Sequence, residues 1–151
     1  VVGARTRILQ FANVVRGAVI GDDCLIAPCA CVDGAKIGNG TRISHGSAVF
    51  PGAVIGDSVF IGPNVVFCND RWPTTSKVGF DIQRPIVQVS VGNGTGIGAG
   101  AIILPGVRIG DGAMIGAGCV VDQSVPDFYL MKRGGEIVPL DHRVPRRMRS
   151  C

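Results

Sequence analysis

The chain has 151 residues, 46% of them hydrophobic but only 5% aromatic, with 23 Gly and a formal net charge of +4. That is one domain's worth of sequence, and a core with few rings among many glycines points to tight turns stacked on β-branched residues. Collagen is excluded because Gly does not recur at every third position; the modest charge argues against a nucleic-acid partner; and no apolar run reaches the ~20 residues that span a bilayer.

From the first residues onward, aliphatic side chains recur every six positions: Val2, Ile8, Val14, Ile20, Ile26 and Val32. One residue is then dropped, and the series resumes at Ile37, Ile43, Val49, Ile55, Ile61 and Phe67. After a break it returns at Val91, Ile97, Ile103, Ile109, Ile115 and Val121, so 17 of these 18 positions are Val or Ile. The position four later is small or hydroxylated, from Thr6 and Ala12 through Thr41, Ser47 and Thr95 to Cys119 and Val125. Lys36 and Arg71 are exceptions, and both stand where the register changes. A period of six is neither that of a helix nor that of a plain alternating strand. It predicts strands of about three residues separated by tight turns rich in Gly and Asn, which tolerate positive φ. Three such corners close a coil of about 18 residues, and successive coils pair as parallel strands ~4.8 Å apart. The expected fold is all-β, a parallel β-helix of about six coils over residues 1–126. A loop is extruded at about 69–86, and a short C-terminal tail covers 127–151.

The stretch from Cys68 to Lys77 leaves the repeat and holds the only Trp, and Arg84-Pro85 precede the return to register. A loop of this length in a regular solenoid is usually functional; the competing reading is a tolerated insertion that packs Trp72 on the outer face. Six Cys are present, and Cys24 and Cys119 take small core positions, so reduced thiols are expected. No signal-peptide pattern occurs, and a cytoplasmic protein is expected. His45 and His142 are the only histidines, so a Cys/His metal site is not expected.

The hexad repeat resembles the hexapeptide transferases, and that resemblance implies left-handed coiling. Phe60 to Pro73, which includes Asn69-Asp70-Arg71-Trp72-Pro73, is similar to the corresponding segment of N-acetyltransferases that act on nucleotide-linked 3-amino sugars. Thr6 to Phe11 resembles their first coil and Ile109 to Gly118 their late coils. The resemblance implies an acetyl-CoA-dependent acetyltransferase, a homotrimer, and a nucleotide-sugar substrate of surface-glycan (lipopolysaccharide) biosynthesis. It also implies that the Asn-Asp segment lines a cleft between subunits. Leu25, Val54 and Val66 are expected on an outer face that association covers.

Acetyl transfer from a thioester to an amine requires that the amine be positioned and the oxyanion stabilised. Asn69 is the candidate that orients the amine or the thioester carbonyl. Asp70 is the candidate for holding an ammonium group, with turn capping as its alternative. Arg71, Trp72 and Gln10 are candidate substrate residues. The pantetheine arm is expected along a prism edge at Gly98, Ala99 and Ala117, with its phosphates on Lys132 and Arg133. Three rivals stand beside this reading. An O-acetyltransferase would use His45 as base. A γ-type carbonic anhydrase needs three His for zinc, which this chain lacks. A purely structural β-helix has no use for the polar loop.

Overall fold

Each hexad supplies a strand of two or three residues, and the turn after it swings the chain onto the next face of a triangle. The computed structural model describes residues 1–73 and 87–140. In it these turns close a left-handed parallel β-helix of about six coils, with three sheets as its faces. The first sheet stacks Ile8, Ile26, Ile43, Ile61, Ile97, Ile115 and Met131 along the axis. The second stacks Val14, Val32, Val49, Phe67, Ile103 and Val121. The third stacks Val2, Ile20, Ile37, Ile55, Val91, Ile109 and Val125. The edge between the third and first sheets is called the first edge, that between the first and second sheets the second edge, and that between the second and third sheets the third edge.

Register changes are repaired locally, and always at the third edge. Ala35, not Lys36, fills the small core position after the dropped residue; Lys36 instead points outward between Val19 and Val54. Val89 takes the place that the period assigns to Arg71 and pairs with Ala53. Val125 sits in the third ladder opposite Ile109, four residues after Val121, and not at the small position where the period puts it. The last third-edge corner is therefore two residues shorter than the six-residue step from Ile103 to Ile109. Where the first deletion falls, the buried Asp33 carboxylate is clasped by the Arg16 guanidinium through both of its oxygens.

The small positions also carry hydrogen bonds. Thr6, Thr41, Ser47 and Thr95 donate their hydroxyls to the carbonyls of Gly21, Gly56, Gly62 and Gly110. Thr6, Thr41 and Ser47 accept in return from the amides of Cys24, Val59 and Val65, one coil on. Cys24 substitutes a thiol in this role and donates to the Gly38 carbonyl. Thr41→Val keeps the volume but strands the Val59 N–H and the Gly56 carbonyl in the core. We expect a loss of about 1–3 kcal/mol, read as a lower urea midpoint at unchanged slope. Along the first edge, Asp22, Asn39, Asp57, Asn93, Asp111 and Asp127 each accept the backbone N–H of the residue one coil below. That edge is committed to holding coils together.

Past residue 126 the first sheet continues. The strand Tyr129–Met131 pairs parallel with Met114–Ile115, and Ile137–Pro139 folds back on it antiparallel. The described part of the expected tail thus caps one end of the prism. The outer faces differ from expectation: Leu25 lies on the first sheet, Val66 on the second and Val54 on the third, so these residues share no face. The apolar outer ladder is instead on the second sheet, where Cys31, Ala48, Val66, Ile102 and Val120 follow one another in register. The expected aliphatic partners of a docking face are separated because the outward residue of each hexad advances by one face per turn.

Candidate functional site

The first edge is spent on its side-chain ladder, which leaves the second and third edges for chemistry. On the second edge, successive corners present Gln10, Cys29, His45, Asn64, Gly100 and Gly118, tied coil to coil by backbone bonds such as Gly118 N–H to the Ala99 carbonyl at 2.8 Å. His45 and Gln10 are both exposed here, two coils apart, and each uses its carbonyl in this ladder. Among the expected cofactor residues, Ala99 and Ala117 are exposed on adjacent coils. Gly98 is small for a different reason: a Cβ there would stand 2.5 Å from the Ala117 nitrogen. Gly100 and Gly118 have positive φ and open space where a side chain would point, so close approach is possible at them. Lys132 is exposed and pairs with Glu136 at 2.9 Å. Arg133 lines an open cavity of about 490 Å³ with Gly118, Val120, Asp122, Gln123, Gly134 and Gly135.

On the third edge the chain leaves the prism after Phe67, which is wholly buried. The Asp70 carboxylate accepts the Trp72 N–H at 2.9 Å, so it caps the first turn of the loop. Trp72 is 75% exposed. Asn69 is exposed as well. Residues 74–86 lie outside the described residues, and with them Arg84-Pro85; so does His142 with the basic end of the chain. A second cavity, about 260 Å³, is lined by Cys68, Asp70, Arg71, Leu104, Pro105, Gly106, Val107, Asp122, Gln123 and Ser124. Asn69, between Cys68 and Asp70, is not among its lining residues.

The structure thus brings Asp70 and Arg71 together at one edge, and Ala99, Ala117 and Arg133 together at another. Within one chain, His45 and Gln10 stand on the second edge, away from Asn69 and Asp70 on the third. Asp122 and Gln123 were not singled out from sequence, yet they border both cavities. Their signal was present: Asp122-Gln123-Ser124 is a polar run at the corner where two other coils place Phe50-Pro51-Gly52 and Leu104-Pro105-Gly106. Burial pushes the Cys68 thiol up in pKa, so the one nucleophilic sulfur lining the smaller cavity stays protonated and is a poor acyl carrier. Among the described residues, no group of three His, Cys, Asp or Glu side chains gathers as metal ligands.

Residues 88–123 match the family of bacterial transferase hexapeptide (six repeats). No curated protein matches the chain by sequence, but solved structures are similar to it. A mutant of GDP-perosamine N-acetyltransferase from Caulobacter crescentus, in complex with CoA and GDP-perosamine, aligns with a TM-score of 0.73 at 24% identity, covering 88% of this chain and 56% of its own. The acetyltransferase domain of PglB from Neisseria gonorrhoeae, in complex with acetyl coenzyme A, aligns at 0.71 and 22% identity, covering 89% of this chain and 57% of that one. A mutant of AntD, an N-acyltransferase from Bacillus cereus in complex with dTDP and coenzyme A, aligns at 0.76 and 22% identity over 98% of this chain and 86% of its own. The chain spans little more than half the length of the first two. It carries the hexapeptide repeat of bacterial transferases at 88–123 and has the left-handed parallel β-helix fold of the acyltransferases to which it is similar.

Proposed function

We propose that the chain is an acetyl-CoA-dependent N-acetyltransferase acting on the amino group of a nucleotide-linked amino sugar, in the biosynthesis of a surface glycan. The observation that carries this reading is the pair of cavities at the end of the prism. One is bordered by Asp70 and Asp122, carboxylates suited to an amine. The other is bordered by Arg133 and open glycine backbone, suited to a phosphate-bearing amide chain. Acetyl-CoA supplies the thioester. Gly100 and Gly118 leave their backbone accessible to its arm, and Arg133 offers a cation for phosphate. The chain's own task is to position the amine, because a deprotonated amine needs no covalent help to attack a thioester. Asn69 contributes an uncharged amide that orients the reacting groups.

His45 is exposed and lines neither of the two cavities, so neither cavity favours it as the base for a hydroxyl. His45→Ala is expected to leave turnover within about twofold of the parent, since it removes no transition-state contact in this reading. Product analysis tests the reaction class: an amide product resists hydroxylamine, whereas an ester product is cleaved by it, and an ester would replace the N-acetyl reading with O-acetylation.

We also propose association into a homotrimer. A closed three-fold ring needs two different complementary patches on each copy, and the apolar outer ladder of the second sheet supplies one of them. Val66→Asp together with Ile102→Asp should shift the mass seen by light scattering from three times 15.7 kDa to 15.7 kDa. An unchanged mass would exclude this face from the interface.

A further inference from the structure

Every described carboxylate but one has a partner in the fold. Asp22, Asp57 and Asp111 accept backbone N–H groups on the first edge. Asp23, Asp33, Asp127 and Glu136 pair with Arg5, Arg16, Arg108 and Lys132, and Asp70 caps its turn. Among the described residues, Asp122 has no hydrogen bond or ion pair to its side chain.

Its surroundings are nonetheless fixed. Gln123 donates its side-chain amide to the Gly135 carbonyl at 3.4 Å, and the Ser124 hydroxyl accepts the Arg108 N–H at 3.0 Å. Both tie down the shortened corner that carries Asp122. The corner is short because Val125 reaches the third ladder four residues after Val121. The shortcut sets Asp122 on the ridge between the cavity that holds Asp70 and Arg71 and the cavity that holds Arg133.

We infer that Asp122 is a substrate-binding residue, which binds the acceptor's amino group as ammonium in the smaller cavity that Asp70 and Arg71 also line; the proton passes to a carboxylate or to solvent before the freed nitrogen attacks the thioester and the CoA thiolate leaves. The inference rests on the amino-sugar reading above and assigns its amine site. The cavity's 260 Å³ falls below the roughly 300–1,000 Å³ of sites that enclose a drug-sized ligand. It therefore takes the single ring that bears the amine and leaves the nucleotide outside. Asp70 is engaged in its turn, whereas Asp122 brings a carboxylate that the fold does not use. Its place on the ridge sets the bound nitrogen beside the cavity from which the thioester arrives.

The test uses the full chain, with acetyl-CoA and a dTDP-linked 3-amino-3,6-dideoxyhexose as the amine. Asp122→Asn should raise KM for the amine by about 10- to 100-fold, the size of one charge-assisted hydrogen bond. KM for acetyl-CoA and the thermal midpoint should stay as in the parent. Calorimetry supplies a readout without turnover: the parent should bind the amino sugar more tightly than its 3-hydroxyl counterpart, and Asp122→Asn should lose that preference. An unchanged KM for the amine, or a preference that survives the substitution, overturns the assignment while leaving the N-acetyl reading intact. A parent that neither acetylates the amine nor prefers it overturns both.

Discussion

Asn69→Ala is expected to lower turnover by about 10- to 1000-fold, the range seen when one positioning or oxyanion donor is removed, with little change in the thermal midpoint. The stability half follows from location. Asn69 comes two residues after Phe67, the last buried ladder residue, and its side chain is exposed. Truncating it opens no core cavity. The activity half follows from chemistry: a side-chain amide can donate to a developing oxyanion or accept from an amine, and it does not titrate. Asn69 is exposed outside the cavity bordered by its neighbours Cys68 and Asp70, and the proposal places its amide in the cleft between copies of the trimer. Steady-state turnover and a melting curve on the same preparation check both halves. A variant that melts early and is inactive only for that reason would show Asn69 to be structural.

Gly98→Ala is expected to give the largest stability loss of any single methyl addition on the second edge. A Cβ at residue 98 would lie 2.5 Å from the Ala117 nitrogen and 2.8 Å from its Cα. These are backbone atoms of the next coil, so no side chain can swing aside. The coils must part, which strains the Gly98 N–H to Ile115 carbonyl bond and the Gly118 N–H to Ala99 carbonyl bond, both 2.8 Å. Overpacking alone costs about 1–3 kcal/mol, and weakening two ladder bonds adds about 1 kcal/mol each. In a chain of this size that amounts to a fall of roughly 6–20 °C in Tm. Gly100→Ala is the control. It meets nothing within 4 Å, but its φ of +67° disfavours a side chain, so it should cost only the ~1–2 kcal/mol of a left-handed Ala. Equal losses at the two positions would refute the steric argument.

The contrast between these glycines shows what a period can and cannot reveal. The inward ladders were legible because burial forces every sixth residue to be aliphatic, and Ile26, Ile61 and Val121 stack as the spacing requires. Lys36 and Val125 were misplaced because a deletion shifts the register without saying which corner absorbs it. Gly98, Gly100 and Gly118 read alike in sequence, yet one is dictated by a neighbouring coil and the others by φ. The apolar outer ladder was hidden, since Cys31, Ala48, Val66, Ile102 and Val120 become neighbours only when hexads 17 or more residues apart are wound onto one face. Asp122 was missed for the same reason: a polar residue in a turn is unremarkable until the shortened corner sets it between two cavities. The polar character of the loop base was visible, and so was turn capping as the alternative for Asp70, which accepts the Trp72 N–H; residue types alone did not choose between the two readings.

Transfer of an acetyl group to an amine frees the CoA thiol, so thiol release follows the reaction itself. The purified chain is mixed with acetyl-CoA and, in turn, with nucleotide-linked 3-amino sugars and their 3-hydroxyl counterparts, and free thiol is followed by its reaction with a disulfide dye. Release is expected to depend on an amino sugar and to stay at the blank rate with the hydroxyl sugars. Release with the hydroxyl sugars alone, or none with any acceptor, would contradict it.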